Sequence, residues 1–213
     1  MSDMKDLMIL HGFNKDEMNY FVYFMGPELF EMWATDRKTK RIANLPDEDK
    51  EKIESFLSSV EGENYEKDSR LFSQLWFNAA HIRLSEAQTK GGGKSYTYYF
   101  TPESSLTYMK CGHATELASV LKHPEETDCT GRAFDETFGK TMRKMWVQFA
   151  MTGNPSLAAD VSPDGKAHEW PLYDPEDRKV MVFDEFDIHP ERESDRKTVD
   201  WDRMYPLTKY FYL

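Results

Sequence analysis

Leu7-Met8-Ile9-Leu10 is a short unbroken apolar run that ends at His11-Gly12, and it constrains the fold more than any other segment. Continuous apolar residues over strand length read as a strand covered on both faces, the pattern of a parallel sheet. Such a strand needs neighbours in the sheet and helices above and below it. A second strand is expected at Ser95-Tyr96-Thr97-Tyr98-Tyr99-Phe100, which is aromatic and set off by the glycines 91–93 and by Pro102. Val180-Met181-Val182-Phe183 is the third candidate.

Between these strands the periodicity is helical. Residues 16–25 are aromatic-rich and helical in pattern, and Pro46-Asp47-Glu48-Asp49 is an acidic helix start followed by Ile53, Phe56, Leu57 and Val60 at helical spacing. Residues 65–88 are expected to form one long amphipathic helix with Leu71, Leu75, Ala79 and Ile82 on a single stripe, stopped by the three glycines. Phe138, Met142, Met145, Trp146 and Phe149 mark a further helix that Gly153-Asn154-Pro155 ends. The aromatic tail of Trp201, Tyr205, Tyr210, Phe211 and Tyr212 is expected to pack onto the body. At least four helices against two or three strands give an α/β class with an incomplete sheet, because so few parallel strands would leave apolar edges unpaired. Residues 1–213 therefore read as one domain or part of one, with no repeat or low-complexity linker.

Charge narrows the partners. The net charge of -11 disfavours nucleic acid and anionic membrane surfaces, which select clustered Lys and Arg. No apolar run approaches the roughly 18–20 residues that cross a bilayer, and the N-terminal stretch lacks the form of a signal peptide. Two cysteines, Cys111 and Cys129, cannot make a dense disulfide framework, which favours a reducing, cytoplasmic setting.

Two segments carry the chemistry. Gly12-Phe13-Asn14-Lys15-Asp16-Glu17 resembles the acid loop, and Gly112-His113-Ala114-Thr115-Glu116-Leu117 the His loop, of type-B carboxylesterases, the carboxylesterase and cholinesterase family. Further matches are Met145-Trp146-Val147-Gln148-Phe149-Ala150 leading to Thr152-Gly153-Asn154-Pro155, and Glu169-Trp170-Pro171-Leu172-Tyr173 leading to Met181-Val182-Phe183. The departure at this site is Cys111 before Gly112. The resemblance implies the C-terminal part of an α/β-hydrolase fold, a carboxylic ester substrate, and neither metal nor organic cofactor. It assigns His113 as general base and Glu17 as the acid that orients it, with Asp16 as the neighbouring fallback and Glu116 as a structural hydrogen-bonding partner. Imidazole suits the role because it titrates near neutral pH, and a carboxylate on its other nitrogen fixes the tautomer.

The nucleophile of that triad, a Ser in a G-x-S-x-G elbow, appears nowhere in the 213 residues. In an α/β-hydrolase the order is Ser, acid, His, so the nucleophile and the oxyanion hole are expected upstream of Met1. A split gene, a complementing N-terminal chain and a segment cut from a longer protein all fit, and the chain alone is expected to be inactive. Association through an exposed strand edge at residues 7–10 is expected. The competing reading is a non-catalytic binding or assembly module of the same family, against which the presence of both Glu17 and His113 speaks. Other motifs are weaker. Gly91-Gly92-Gly93-Lys94-Ser95 lacks the first glycine of a phosphate loop, since position 88 is Gln, and reads as a turn into a strand. His113 and Glu116 lack a further metal ligand at suitable spacing, and Cys111 is too close to His113 along one loop to form a dyad with it. The run Phe183-Asp184-Glu185-Phe186-Asp187 reads as a solvated strand end.

Overall fold

A computed structural model describes residues 4–122, 126–192 and 199–210. Phe211 and Tyr212 lie outside the described residues, as does the side chain of Cys129. Four strands form one sheet in the order β1 (Met8–Asn14), β2 (Lys94–Phe100), β3 (Lys179–Asp184), β4 (Asp187–Arg192). The first three are parallel, and β4 returns antiparallel from β3. The helices are α1 (Asn19–Met25), α2 (Pro27–Ile42), α3 (Asp47–Ser59), α4 (Asn64–Ser73), α5 (Ala79–Lys90), α6 (Glu116–Leu121), α7 (Glu126–Thr130) and α8 (Glu136–Thr152). The sheet is mixed, mostly parallel and covered by helices.

Strand period two divides the core. Tyr96, Tyr98 and Phe100 of β2 join Met181 and Phe183 of β3 and Phe138, Met142 and Met145 of α8 in one cluster. The alternate residues Tyr99, Val180 and Val182 face the other way, onto Ala79 and Ile82 of α5. A third cluster gathers α1 to α4 around Val22, Phe30, Ile53, Phe56 and Leu71. Trp201 and Tyr205 pack against the α5 side, and Tyr210 against the helical cluster, as the aromatic tail implied.

Four differences from the sequence reading have local causes. First, β1 lies at the edge of the sheet, as expected, pairing only with β2 among the described residues, but its apolar start is not covered on both faces, with Leu7 50% and Met8 40% exposed. The half covered on both faces is Gly12-Phe13-Asn14, beyond the apolar run. Gly12 permits this approach: a Cβ there would lie 2.3 Å from the Tyr98 carbonyl oxygen. Second, helix α2 was hidden because Gly26-Pro27 reads as a break; Pro27 instead occupies the first turn, where its missing N–H costs nothing. Its buried face is only Phe30 and Ala34, so no clear stripe shows. Third, residues 65–88 are not one α-helix, since a π turn at Gln74–Asn78 separates α4 from α5. The stripe Leu71, Leu75, Ala79 steps by four, which drifts around a 3.6-residue helix, and the wider turn absorbs that drift so that all three stay buried. Fourth, the acidic run 183–187 is the end of β3 and the corner of a hairpin, solvated at Phe186 and Asp187 but less so before them. Phe183 is buried, Asp184 and Asp187 pair across a hairpin, and Glu185 is held by Arg132 at 2.6 Å. Strand β4 was missed because Asp187–Arg192 is polar and carries Pro190, a residue tolerated only at a sheet edge.

A polar seam runs between β1, β2 and α5. His11 Nδ1 lies 2.9 Å from His81 Nδ1, and His11 Nε2 lies 3.0 Å from Ser85 Oγ and 3.1 Å from Ser95 Oγ. Only one proton fits between the two Nδ1 atoms. Burial, followed by the charge of the His81 ring, holds His11 down to about 3 from an ordinary 6.5, and burial followed by the charge of His113 holds His81 to about 4. In the unfolded chain both would titrate near 6.5. Between that pH and the folded values the unfolded state binds more protons, so stability falls as pH falls through this window. His81→Leu should flatten the loss of urea midpoint on going from pH 7 toward pH 4, and an unchanged slope would count against the seam. Phe183→Ala, at a side chain enclosed by Tyr98, Phe138, Trp146 and Trp170, should cost about 3–5 kcal/mol in urea unfolding.

Candidate active site

Parallel strands end on the same side of a sheet, and the loops that follow β1 and β2 meet there. Three backbone hydrogen bonds knit them: Lys15 N–H to the Phe100 carbonyl at 2.9 Å, Asp16 N–H to the Cys111 carbonyl at 3.0 Å, and His113 N–H to the Glu17 carbonyl at 3.0 Å. The side chains of Glu17 and His113 face each other within this frame, with Glu17 Oε2 2.8 Å from His113 Nδ1. The other carboxylate oxygen, Oε1, accepts the Asn14 backbone N–H at 2.7 Å. Glu17 is buried, whereas the His113 side chain is 47% exposed. Among the described residues no hydroxyl or thiol is hydrogen-bonded to the imidazole, so Nε2 is the nitrogen open to a reactant. Tyr20 and Phe77 flank the ring with centroids 6.1 and 5.1 Å away.

The structure separates the two acids that the sequence left adjacent. Asp16 points away from His113 toward Arg70, 3.6 Å distant, and its buried Oδ2 has no hydrogen-bond partner. Glu116 Oε2 accepts from Asn14 Nδ2 at 2.6 Å and its Oε1 from the Tyr98 hydroxyl at 3.3 Å, so both oxygens are engaged within the fold rather than presented to a metal. Cys111 is fully buried and donates its thiol to the Phe100 carbonyl; burial and the charge of Asp16 push that thiol well above its usual range, which keeps it from thiolate chemistry.

The hydrogen bond and charge of Glu17 raise the His113 imidazole above its ordinary 6.5, with burial opposing and the charge of Glu116 assisting. Burial pushes the Glu17 carboxyl up, while the hydrogen bonds from His113 and the Asn14 backbone pull it down. The His loop also carries strain: Tyr108, Lys110 and Ala114 have φ of 69°, 47° and 68°, a region that non-glycine residues avoid. Ala114 follows His113 directly, so the bond that sets the ring's direction lies beside a strained residue. Buried polar links hold the acid loop to α4: Met18 N–H to Ser73 Oγ at 3.0 Å, and Ser69 Oγ to Asn19 Oδ1 at 2.7 Å. The sequence reading assigned no role to Asn14, Asn19 or Tyr98. Asn14 stands three residues before Glu17 at the strand end, close enough for its backbone N–H to be capped by the Glu17 side chain.

A cleft of about 480 Å³ lies beside this pair and not around it; Lys15, Arg70, Thr101, Glu103, Arg132 and Asp184 line it. Its cations are engaged, Lys15 with Glu103 and Arg132 with Glu185.

A model of the carboxylesterase family matches residues 1–198. The chain belongs to the carboxylesterase family. Acetylcholinesterase 1 of Caenorhabditis briggsae is 25% identical over 198 residues, covering 80% of this carboxylesterase-family chain and 32% of the relative. The liver carboxylesterase of Sus scrofa is 27% identical over 200 residues, or 84% of this chain and 33% of its own. The chain thus spans about a third of the length of these relatives. A crystal structure of a Geobacillus stearothermophilus carboxylesterase superposes with a TM-score of 0.68 at 24% identity, over 89% of this chain and 39% of the other. The fold is accordingly that of an α/β-hydrolase, of which these residues supply a part. Among the described residues no helix is long and apolar enough to cross a membrane.

Glu17→Gln should lower the His113 titration midpoint toward 6.5, since the largest raising influence is removed. A pH series of imidazole NMR signals reads this directly.

Proposed function

We propose that this chain supplies the acid and the base of a carboxylic ester hydrolase that works through a Ser-Glu-His triad. The observation that carries this reading is the contact of 2.8 Å between Glu17 Oε2 and His113 Nδ1, made by loops at the ends of adjacent parallel strands. Family membership supports the ester-hydrolase class. With the Nδ1 proton directed at Glu17, Nε2 takes the proton of a serine hydroxyl as that oxygen attacks the ester carbonyl. The same proton then passes to the departing alcohol oxygen, leaving an acyl-enzyme that water hydrolyses by the same route. Glu17 fixes the tautomer and stabilises the imidazolium. Glu116 acts structurally, through Asn14 and Tyr98, and Asp16 takes no part in proton transfer.

The serine and the oxyanion donors come, in this reading, from another part of the hydrolase fold, joined to this one or carried on a separate N-terminal chain. The open edge of β1 is where that part would pair, and much of the pocket for the small carboxylic ester would come with it. The buried, unpaired Cys111 favours a reducing compartment such as the cytoplasm.

Hydrolysis of a short-chain p-nitrophenyl ester tests the proposal. The purified chain should show no turnover above background, and neither should its His113→Ala variant. Fused to a carboxylesterase segment that carries the G-x-S-x-G elbow, it should turn over, and His113→Ala should then reduce kcat by about 10⁴-fold or more. Turnover by the chain alone that depends on His113 would place the nucleophile within it and overturn the divided triad. A fused enzyme indifferent to His113→Ala would overturn the general-base assignment.

A further inference from the structure

Among the described residues, Asn14 is bonded to both the Glu17 and the Glu116 carboxylate. Its backbone N–H holds Glu17 Oε1 at 2.7 Å. Its side-chain Nδ2 reaches across to the other loop, 2.8 Å from the Gly112 carbonyl and 2.6 Å from Glu116 Oε2, with Thr115 Oγ1 at 3.4 Å. The side chain is buried, and its Oδ1 has no hydrogen-bond partner. The orientation of this amide is nevertheless fixed. The carbonyl and the carboxylate at the Nδ2 end can only accept, so rotating the amide would set oxygen against oxygen twice.

We propose that Asn14 is a positioning residue for His113: one amino acid at the end of β1 sets the acid with its backbone and clamps the base-bearing loop with its side chain. The proposal rests on the reading of Glu17 and His113 as a catalytic pair. The clamp acts on the residues on either side of the imidazole. Gly112 precedes His113, and a Cβ on Gly112 would come within 2.8 Å of the Tyr20 backbone nitrogen, so this stretch is already pressed against the start of α1. Glu116 opens α6 on the far side. Between them lies Ala114 with its left-handed φ of 68°, a conformation that costs energy and persists only where its surroundings hold it. The amide supplies hydrogen bonds on both flanks. It also occupies the Glu116 carboxylate, which keeps that second negative group away from the ring nitrogen that Glu17 serves. Releasing the amide should let the loop relax, turn the imidazole off Glu17 and mix its two neutral tautomers.

The experiment follows the ¹⁵N and ¹H signals of the His113 ring through a pH titration of the full chain, alongside urea unfolding. The unaltered chain should show one neutral tautomer, protonated at Nδ1, and a midpoint above 6.5. Asn14→Ala should mix the tautomers and move the midpoint toward 6.5 in a chain that still unfolds cooperatively. A folded Asn14→Ala chain with the original tautomer and midpoint would overturn the proposal, because a residue serving stability alone would change only the urea midpoint. Should Asn14→Ala fail to fold, Glu116→Ala decides, since it removes the shortest side-chain bond of the clamp and leaves β1 intact. Tautomer mixing there supports the clamp, and an unaltered ring overturns it. Glu17→Gln separates the two levels of inference: a His113 midpoint indifferent to that change would sink the catalytic pair, whereas a sensitive midpoint with no response to Asn14 would sink the clamp alone.

Discussion

Parallel pairing of β1 with β2 is the constraint on which the site depends. It sets Asn14 level with Phe100, so the chain leaves both strands at the same end of the sheet. Residues 96 positions apart in sequence thereby come within 2.8 Å. An antiparallel pair would have put the two loops at opposite ends. The close approach at Gly12 and Tyr98 keeps the strands in register up to that end, and the three backbone hydrogen bonds between the loops continue the pairing past the last strand residues.

A parallel pair requires a long crossover, and here α1 to α5 provide it. The crossover does more than return the chain. Helix α4 supplies Ser69 and Ser73 to the acid loop, and α5 supplies His81 to the seam beneath β1. Buried polar groups at these points are satisfied by one another, which fixes how the helical layer sits on the sheet. The burial that holds the Glu17 carboxylate against His113 also raises the energy of its charged form, and the Asn14 and His113 hydrogen bonds offset part of that cost.

The parts of the fold legible in the sequence were those where a single physical demand dominates. Strand β2 and helix α8 carry unbroken aromatic or apolar patterns because both lie against the sheet core, and both stand where the periodicity put them. Strand β4 and helix α2 obey weaker demands. An edge hairpin strand needs only one pairing partner and no apolar face, and a helix with two buried residues leaves little trace of its period. The π turn was foreshadowed by the four-residue steps of the stripe, which a regular helix cannot keep on one face. At the site, the resemblance named Glu17 with Asp16 as its fallback; which of the two side chains turns toward His113 after β1 is not visible along the chain, and it is Glu17, 2.8 Å away, while Asp16 faces Arg70. Asn14 escaped notice for a similar reason, since its bonds cross to a segment about a hundred residues away.

Strand β1 is at once the edge of this sheet and the stem of the acid loop. Any segment that adds along its open side would hydrogen-bond to the same seven residues whose far end presents Glu17. A slip of that added strand by two residues would keep every side chain on its proper face while displacing whatever it carries along the strand direction relative to His113. For the divided triad proposed above, extending the sheet and aligning the reactive groups would therefore be one mechanical event, and the tolerance of the chemistry would be the tolerance of a single β-register.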